Sequence, residues 1–284
     1  MKKIILLILA AFTFCACNHT KNNDNRPILT VSIAPLRFVV EAVTGDRYQV
    51  TTLMPQGMSP ETYDPTPRQM ANLSNSEALF CVGTLNFEQA KIPQIASSVP
   101  HLSIVNLSED VQAIAGNDHH NHSEGESMDP HIWMSPQNLK IMAQNVCRFM
   151  CFTHPNDTNY YQQRLMLFEQ KMDSLDRTLR SSLQHIPSRT FLIYHPALGY
   201  FAQQYGLKQL TIEHDGKEAS AAHFEQLINQ CKQEKVHAVF ISKEHNGKAA
   251  IRIADEINVN PTTINPLDFN IDKQMLFIAK SLQQ

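Results

Sequence analysis

A chain of 284 residues, 43% hydrophobic and 18% charged, can bury a large core and exceeds the size at which one core tends to divide; two domains are favoured over one. Its formal net charge of -3 argues against the basic stripe of a nucleic-acid binder, and no nucleic-acid partner is expected. Histidine is the conspicuous residue. There are 13, and His119, His120, His122 and His131 fall within one short stretch; imidazole is the commonest side-chain ligand for zinc, copper and nickel.

The N-terminus reads as an export signal. Lys2 and Lys3 form a positive region, and the apolar run Ile4 to Phe14 is too short to span a bilayer comfortably. It closes on Phe14-Cys15-Ala16-Cys17, which resembles a bacterial lipoprotein signal: Cys17 follows the small Ala16, although Phe14 stands where leucine is usual. The expectation is a signal peptide over 1–17 with Cys17 lipidated, the alternative an ordinary secretory signal. Both export the protein. Residues 18–26 are polar and aperiodic, a tether. Cys81, Cys147, Cys151 and Cys231 contain no CxxC pair; Cys147 and Cys151 share one face of a predicted helix and read as apolar thiols.

From Ile28 onward short β-rich runs alternate with helical ones. Strands are predicted over 28–33, 48–54, 78–82 and 101–105, with helices over 36–44, 68–75 and 87–97, the pattern of a parallel sheet covered by helices. Residues 106–129 read as a long polar loop. A helix over 136–152 follows. Then comes a long one over 157–185, with Leu165, Phe168, Met172, Leu175 and Leu179 at helical spacing, Asp157 as its N-cap and Pro187 as its stop. At about 1.5 Å per residue it measures roughly 40 Å, enough to bridge two lobes. Strands over 190–194, 209–213, 236–241 and 262–264 then alternate with helices over 198–205, 221–234, 249–257 and 272–282. The fold class is therefore α/β: two lobes (27–156 and 186–284), each a roughly four-stranded parallel sheet with flanking helices, joined by the helix 157–185.

Ligands of open parallel sheets bind beyond the carboxyl ends of the strands. Four such segments carry chemistry: Pro55 to Pro65 with Glu61, Asp129 to Pro136 with His131, Tyr194 to Phe201 with His195, and Asn265-Pro-Leu-Asp268. Two come from each lobe, so all four can converge in one cleft. Singly, each has an ordinary reading: a hydrogen-bonding histidine, a solvated loop carboxylate, turn chemistry beside a proline.

Together the motifs PxGxxPExYDPTPxQ (55–69), DPHIWMSP (129–136), YHPALGYFAQQYG (194–206), EHDGKEAS (213–220) and the Asn265-Pro-Leu turn resemble one family. It is the solute-binding component of zinc and manganese ABC importers, the metal-binding cluster with a rigid interlobe helix. The resemblance covers nearly everything after the tether. It implies an exported, lipid-anchored monomer that binds a divalent metal, delivers it to an ABC permease with its ATPase, and is no enzyme. His131 matches the metal-binding histidine of DPHxW. His195 matches the histidine of zinc members, where manganese members carry glutamate, so Zn2+ is implied, with Mn2+ or Fe2+ as alternatives. Glu61 stands where most relatives have a ligand histidine. Asn265 stands where they have aspartate; an amide oxygen is a weak zinc ligand, so water, or Asp268 through a shifted turn, is expected there. The family's flexible His/Asp loop implies an auxiliary role for His119, His120 and His122. The rigid helix implies release by local movement of the first or last ligand loop. An open fourth position also occurs in zinc hydrolases, for which Glu213 or Glu218 would be the candidate base. A third reading is a surface adhesion or chaperone-like lipoprotein whose metal is purely structural.

Overall fold

The computed structural model describes residues 25–115, 128–213 and 221–284. The signal segment, Cys17, the loop histidines His119, His120 and His122, and Glu218 lie outside the described residues.

Strands β1 (Ile28–Val31), β2 (Gln49–Thr52), β3 (Ser76–Cys81) and β4 (Ser103–Asn106) form a parallel sheet in the order β2-β1-β3-β4. Strands β5 (Thr190–Ile193), β6 (Lys208–Thr211), β7 (Val239–Ser242) and β8 (Thr262–Ile264) repeat that order as β6-β5-β7-β8. The central strands are buried on both faces, as their apolar sequences TFLI and SEALFC require of a sheet covered by helices on both sides. In each sheet the chain winds first to one side of the leading strand and then to the other. Each lobe therefore has a switch point, with a crevice beyond its carboxyl edge.

The flanking helices are α1 (Ala34–Thr44), α2 (Pro67–Asn72), α3 (Asn86–Ser98), α4 (Pro136–Thr153), α6 (Gly199–Tyr205), α7 (Ala221–Gln233), α8 (Lys248–Glu256) and α9 (Ile271–Ser281). The long helix α5 spans Thr158–Ser182, 25 residues, shorter at its end than the sequence pattern suggests. Asp157 stands at its N-cap but makes no capping hydrogen bond with its side chain, which pairs with Arg47 instead. The periodic face is the buried one: Phe168, Met172, Leu175 and Leu179, with Tyr161 two turns before Phe168.

That stripe joins the lobes by packing, not merely by connection. One apolar cluster runs from β1 and β3 through α1 and α4 to α5, and on to β5, α6 and α9. Phe38 of α1 meets Phe168 of α5 edge-on and also Phe269 beside α9. A smaller cluster (Leu192, Leu210, Leu227, Val239, Ile253) fills the other side of the second sheet. Swinging the lobes apart would expose this shared core, at about 25 cal/mol per Å² of apolar surface.

Candidate metal centre

The site is built where strand ends meet between the lobes. Glu61 lies in the loop after β2. That loop is held from beneath by the buried Tyr63, whose hydroxyl donates to the Leu53 carbonyl (2.9 Å) and whose ring packs edge-on against Phe87. Its exit is fixed by a reciprocal cap, in which the Thr66 hydroxyl accepts from the Gln69 backbone N–H and the Gln69 side chain accepts from the Thr66 N–H. Within the loop the Ser59 hydroxyl donates to Glu61 Oε2 at 2.7 Å.

His131 sits in a turn just ahead of α4, whose first N–H groups are met by Ser135. Asp129 holds it twice: Oδ1 accepts the backbone N–H of His131 at 2.8 Å and the ring Nδ1–H at 2.7 Å. A carboxylate can only accept, so Nδ1 carries the proton and Nε2 presents a lone pair to the cleft. His195 follows β5 and is treated alike, Nδ1 donating to Glu213 Oε2 at 3.2 Å. Ligand histidines backed by a carboxylate are the usual arrangement around bound zinc, since the carboxylate fixes the tautomer and raises basicity.

The two imidazoles meet at Nε2 to Nε2 3.3 Å, both rings buried. Two nitrogens bound to one zinc at about 2.0–2.1 Å in a tetrahedron are themselves about 3.3 Å apart, so this spacing is already that of a shared ion. Glu61 Oε1 lies 2.8 Å from His195 Nε2. Together with Trp133, Ala197, Ser242, Glu244 and His245 these residues enclose a cavity of about 20 Å³, room for one water-sized particle. The Ser242 hydroxyl on that wall is buried and has no hydrogen-bond partner among the described residues.

The charges show what holds the site shut. Burial pushes His195 down, but hydrogen bonds to Glu213 and Glu61, and their charges, override it and raise its pKa to about 9. Burial pushes Glu61 up, but its bonds to His195 and Ser59 hold it down at about 2. His195 is thus an imidazolium clamped between two carboxylates. Burial, and then the positive charge of His195, lowers His245; burial raises Glu244.

Glu61, His131 and His195 line one cavity, with His195 Nε2 2.8 Å from Glu61 and 3.3 Å from His131, and Asn265 is not among them. Among the described residues, the group whose donor atoms all lie within 4.8 Å of one another is Glu61, His195 and His245. Asn265 Oδ1 accepts the Leu267 N–H (3.2 Å) and its Nδ2 donates to Asp268 Oδ2 (3.2 Å), which closes the turn on itself. Asp268 is occupied as well, capping the Asn270 N–H at 2.7 Å. What this turn gives the site is a backbone contact: the Pro266 carbonyl accepts the Trp133 indole N–H at 2.8 Å, across the lobes. The sequence reading passed over His245, in the turn after β7. Its ring stacks on His195 (4.6 Å between centroids, 14° between planes), and its Nε2 is 3.9 Å from Glu61 Oε2.

Two helix-covered parallel sheets, a rigid helix between them and a histidine-carboxylate cluster in the cleft define a two-lobed metal-binding protein of the kind that captures a solute for a transporter. The comparisons make the class specific. Residues 29–279 match the family described as ZnuA, zinc-uptake complex component A, periplasmic, and the chain belongs to that family. It is 26% identical to the high-affinity zinc uptake system protein ZnuA of Bacillus subtilis, covering 92% of this chain and 85% of that protein. It is 25% identical to the zinc-binding lipoprotein AdcA of Streptococcus pneumoniae over 94% of this chain, which spans 56% of that relative's length. Among solved structures, a zinc-bound ZnuA carrying a deletion of 138–173 superposes with a TM-score of 0.85 at 28% identity, covering 91% of this chain and 99% of the other.

Proposed function

We propose that this protein captures zinc outside the cytoplasm in the cleft between its lobes and delivers it to an ABC permease and its ATPase for import. The observation that carries the reading is the pair of carboxylate-backed imidazoles whose Nε2 atoms already stand 3.3 Å apart. Imidazole nitrogen suits zinc better than manganese. In this reading His131, His195 and Glu61 are ligands, and Asp129 and Glu213 orient the two rings. Membership of a zinc-uptake family and the zinc-bound structural relative support the choice of ion.

The ion comes in past Glu61, whose side chain is about one-third exposed while the two histidine rings are almost covered. It displaces the His195 proton and exchanges its water shell for nitrogen and oxygen donors. Because α5 and the shared core keep the lobes in register, release proceeds by movement of the Glu61 loop, not by opening of the lobes. The membrane attachment is a lipid on Cys17, and the working form is a monomer. Among the described residues no helix is long and apolar enough to cross a membrane. Of the two nominees for a hydrolase base, Glu213 is spent on His195 Nδ1, away from the cavity side of that ring, and Glu218 lies outside the described residues. The test is competitive binding of Zn2+, Mn2+ and Fe2+ to the metal-stripped protein, with metal content checked as purified. Zinc outcompeting manganese supports the proposal; preferential retention of manganese would overturn it.

A further inference from the structure

His131, His195 and Glu61 leave a tetrahedral ion one donor short. Asn265, the residue whose position in the sequence suggests it for that place, has both side-chain atoms committed to its own turn and does not line the cavity. His245 does line it. One donor atom each from Glu61, His195 and His245 fall within 4.8 Å of one another. The turn that presents His245 is fixed at its root, the His245 N–H donating to the Ser242 carbonyl at 3.0 Å where β7 ends. Because β7 is the direct neighbour of β5, its carboxyl end opens beside that of His195. Asn265 follows β8, one strand further out.

Resting on the zinc-binding reading above, we infer that His245 is the fourth metal ligand, so that the site holds its ion with three imidazoles and the Glu61 carboxylate. Each lobe then contributes two donors: Glu61 and His131 from the first, His195 and His245 from the second. In the stack the two ring planes lie within 14° of each other, so ligation requires the His245 ring to rotate out of the stack as well as to close its Nε2 on Glu61 from 3.9 Å to the roughly 3.3 Å that two donors on one zinc require. The consequence for selectivity is direct. A third imidazole in place of an oxygen donor raises the nitrogen share of the site and so strengthens its preference for zinc over manganese.

The test has two arms on the full chain, stripped of metal. X-ray absorption at the zinc edge of the unaltered protein should count three imidazoles; two would overturn the inference, and this arm needs no variant to fold. In competition against a chromophoric chelator, His245→Ala should lower zinc affinity by at least about 100-fold, the upper end of what losing a ligand's supporting partner costs. Manganese affinity should change much less, so the zinc-to-manganese ratio should collapse. Asn265→Ala should leave zinc affinity within about threefold; a large loss in Glu244→Gln with His245→Ala unaffected would give the fourth place to Glu244. If the His131→Ala, His195→Ala double variant loses zinc while His245→Ala does not, this inference alone fails. If the double variant keeps its zinc, the site itself is misassigned.

Discussion

Zinc binding should be a proton exchange at His195, and its pH dependence should be steep. The imidazolium is held by Glu61 at 2.8 Å and Glu213 at 3.2 Å, with a pKa of about 9. At pH 7 removing that proton costs about 2.7 kcal/mol, which is subtracted from the intrinsic affinity. Apparent affinity should therefore fall nearly tenfold per pH unit, about 100-fold between pH 8 and pH 6, with about one proton released per zinc at pH 7. Glu61, held near 2, stays ionised throughout and adds no slope. Calorimetry in buffers of different ionisation enthalpy counts the protons, and chelator competition gives the slope. Glu213→Gln keeps an acceptor for Nδ1–H but removes a charge, so it should release fewer protons at pH 7 and flatten the curve. PH-independent affinity without proton release would refute the clamped-imidazolium account.

The same ion pair makes a prediction for the metal-free fold. The pKa of His195 is raised from 6.5, so its contribution to stability is complete below about 6.5 and disappears as pH rises through about 9. That of Glu61 is lowered from 4.5, so its contribution is present above about 4.5 and disappears as pH falls through about 2. The rise of His195 is shared with Glu213 and the lowering of Glu61 with Ser59, which leaves the Glu61–His195 pair worth about 2 kcal/mol once the solvent reaching Glu61 is allowed for. Glu61→Gln should melt below the unaltered metal-free protein by about 4–8 °C at pH 5.5, with the gap closing toward pH 10 in a thermal melt. A Cβ on Gly199 would overlap Asp129 Oδ2, so Gly199→Ala should displace the group that orients His131 and weaken zinc binding by about 10–100-fold in the chelator assay. Trp133 is fully buried and donates across the lobes to the Pro266 carbonyl; Trp133→Phe should cost about 1–3 kcal/mol in denaturant unfolding by leaving that carbonyl unmet.

The strand-helix alternation and the 3.6-residue stripe of α5 are local properties, and for that reason the sequence announces two parallel sheets and a connecting helix. Element ends shift by a few residues, as at the C-terminus of α5, which closes at Ser182, whereas Asp157 keeps its N-cap place with its side chain turned to Arg47. His131 and His195 were legible because each lies inside a long, characteristic motif, His131 just ahead of α4 and His195 directly after β5. Asn265 was suggested by its place in such a motif, but its side chain is consumed by the turn chemistry of the Asn-Pro-Leu-Asp segment. His245 lies in Ser242-Lys-Glu-His-Asn-Gly, with no motif around it. The signal that finds it is topological: β7 pairs with β5, so whatever follows β7 opens beside His195. Strand adjacency is set by long-range pairing, which sequence periodicity does not encode.

The most direct measurement is anomalous diffraction at the zinc edge from crystals of the zinc-loaded protein. The account predicts one strong peak between His131 Nε2 and His195 Nε2, about 2.0–2.2 Å from each and from a Glu61 oxygen. A peak elsewhere, or zinc held without either histidine, would contradict it.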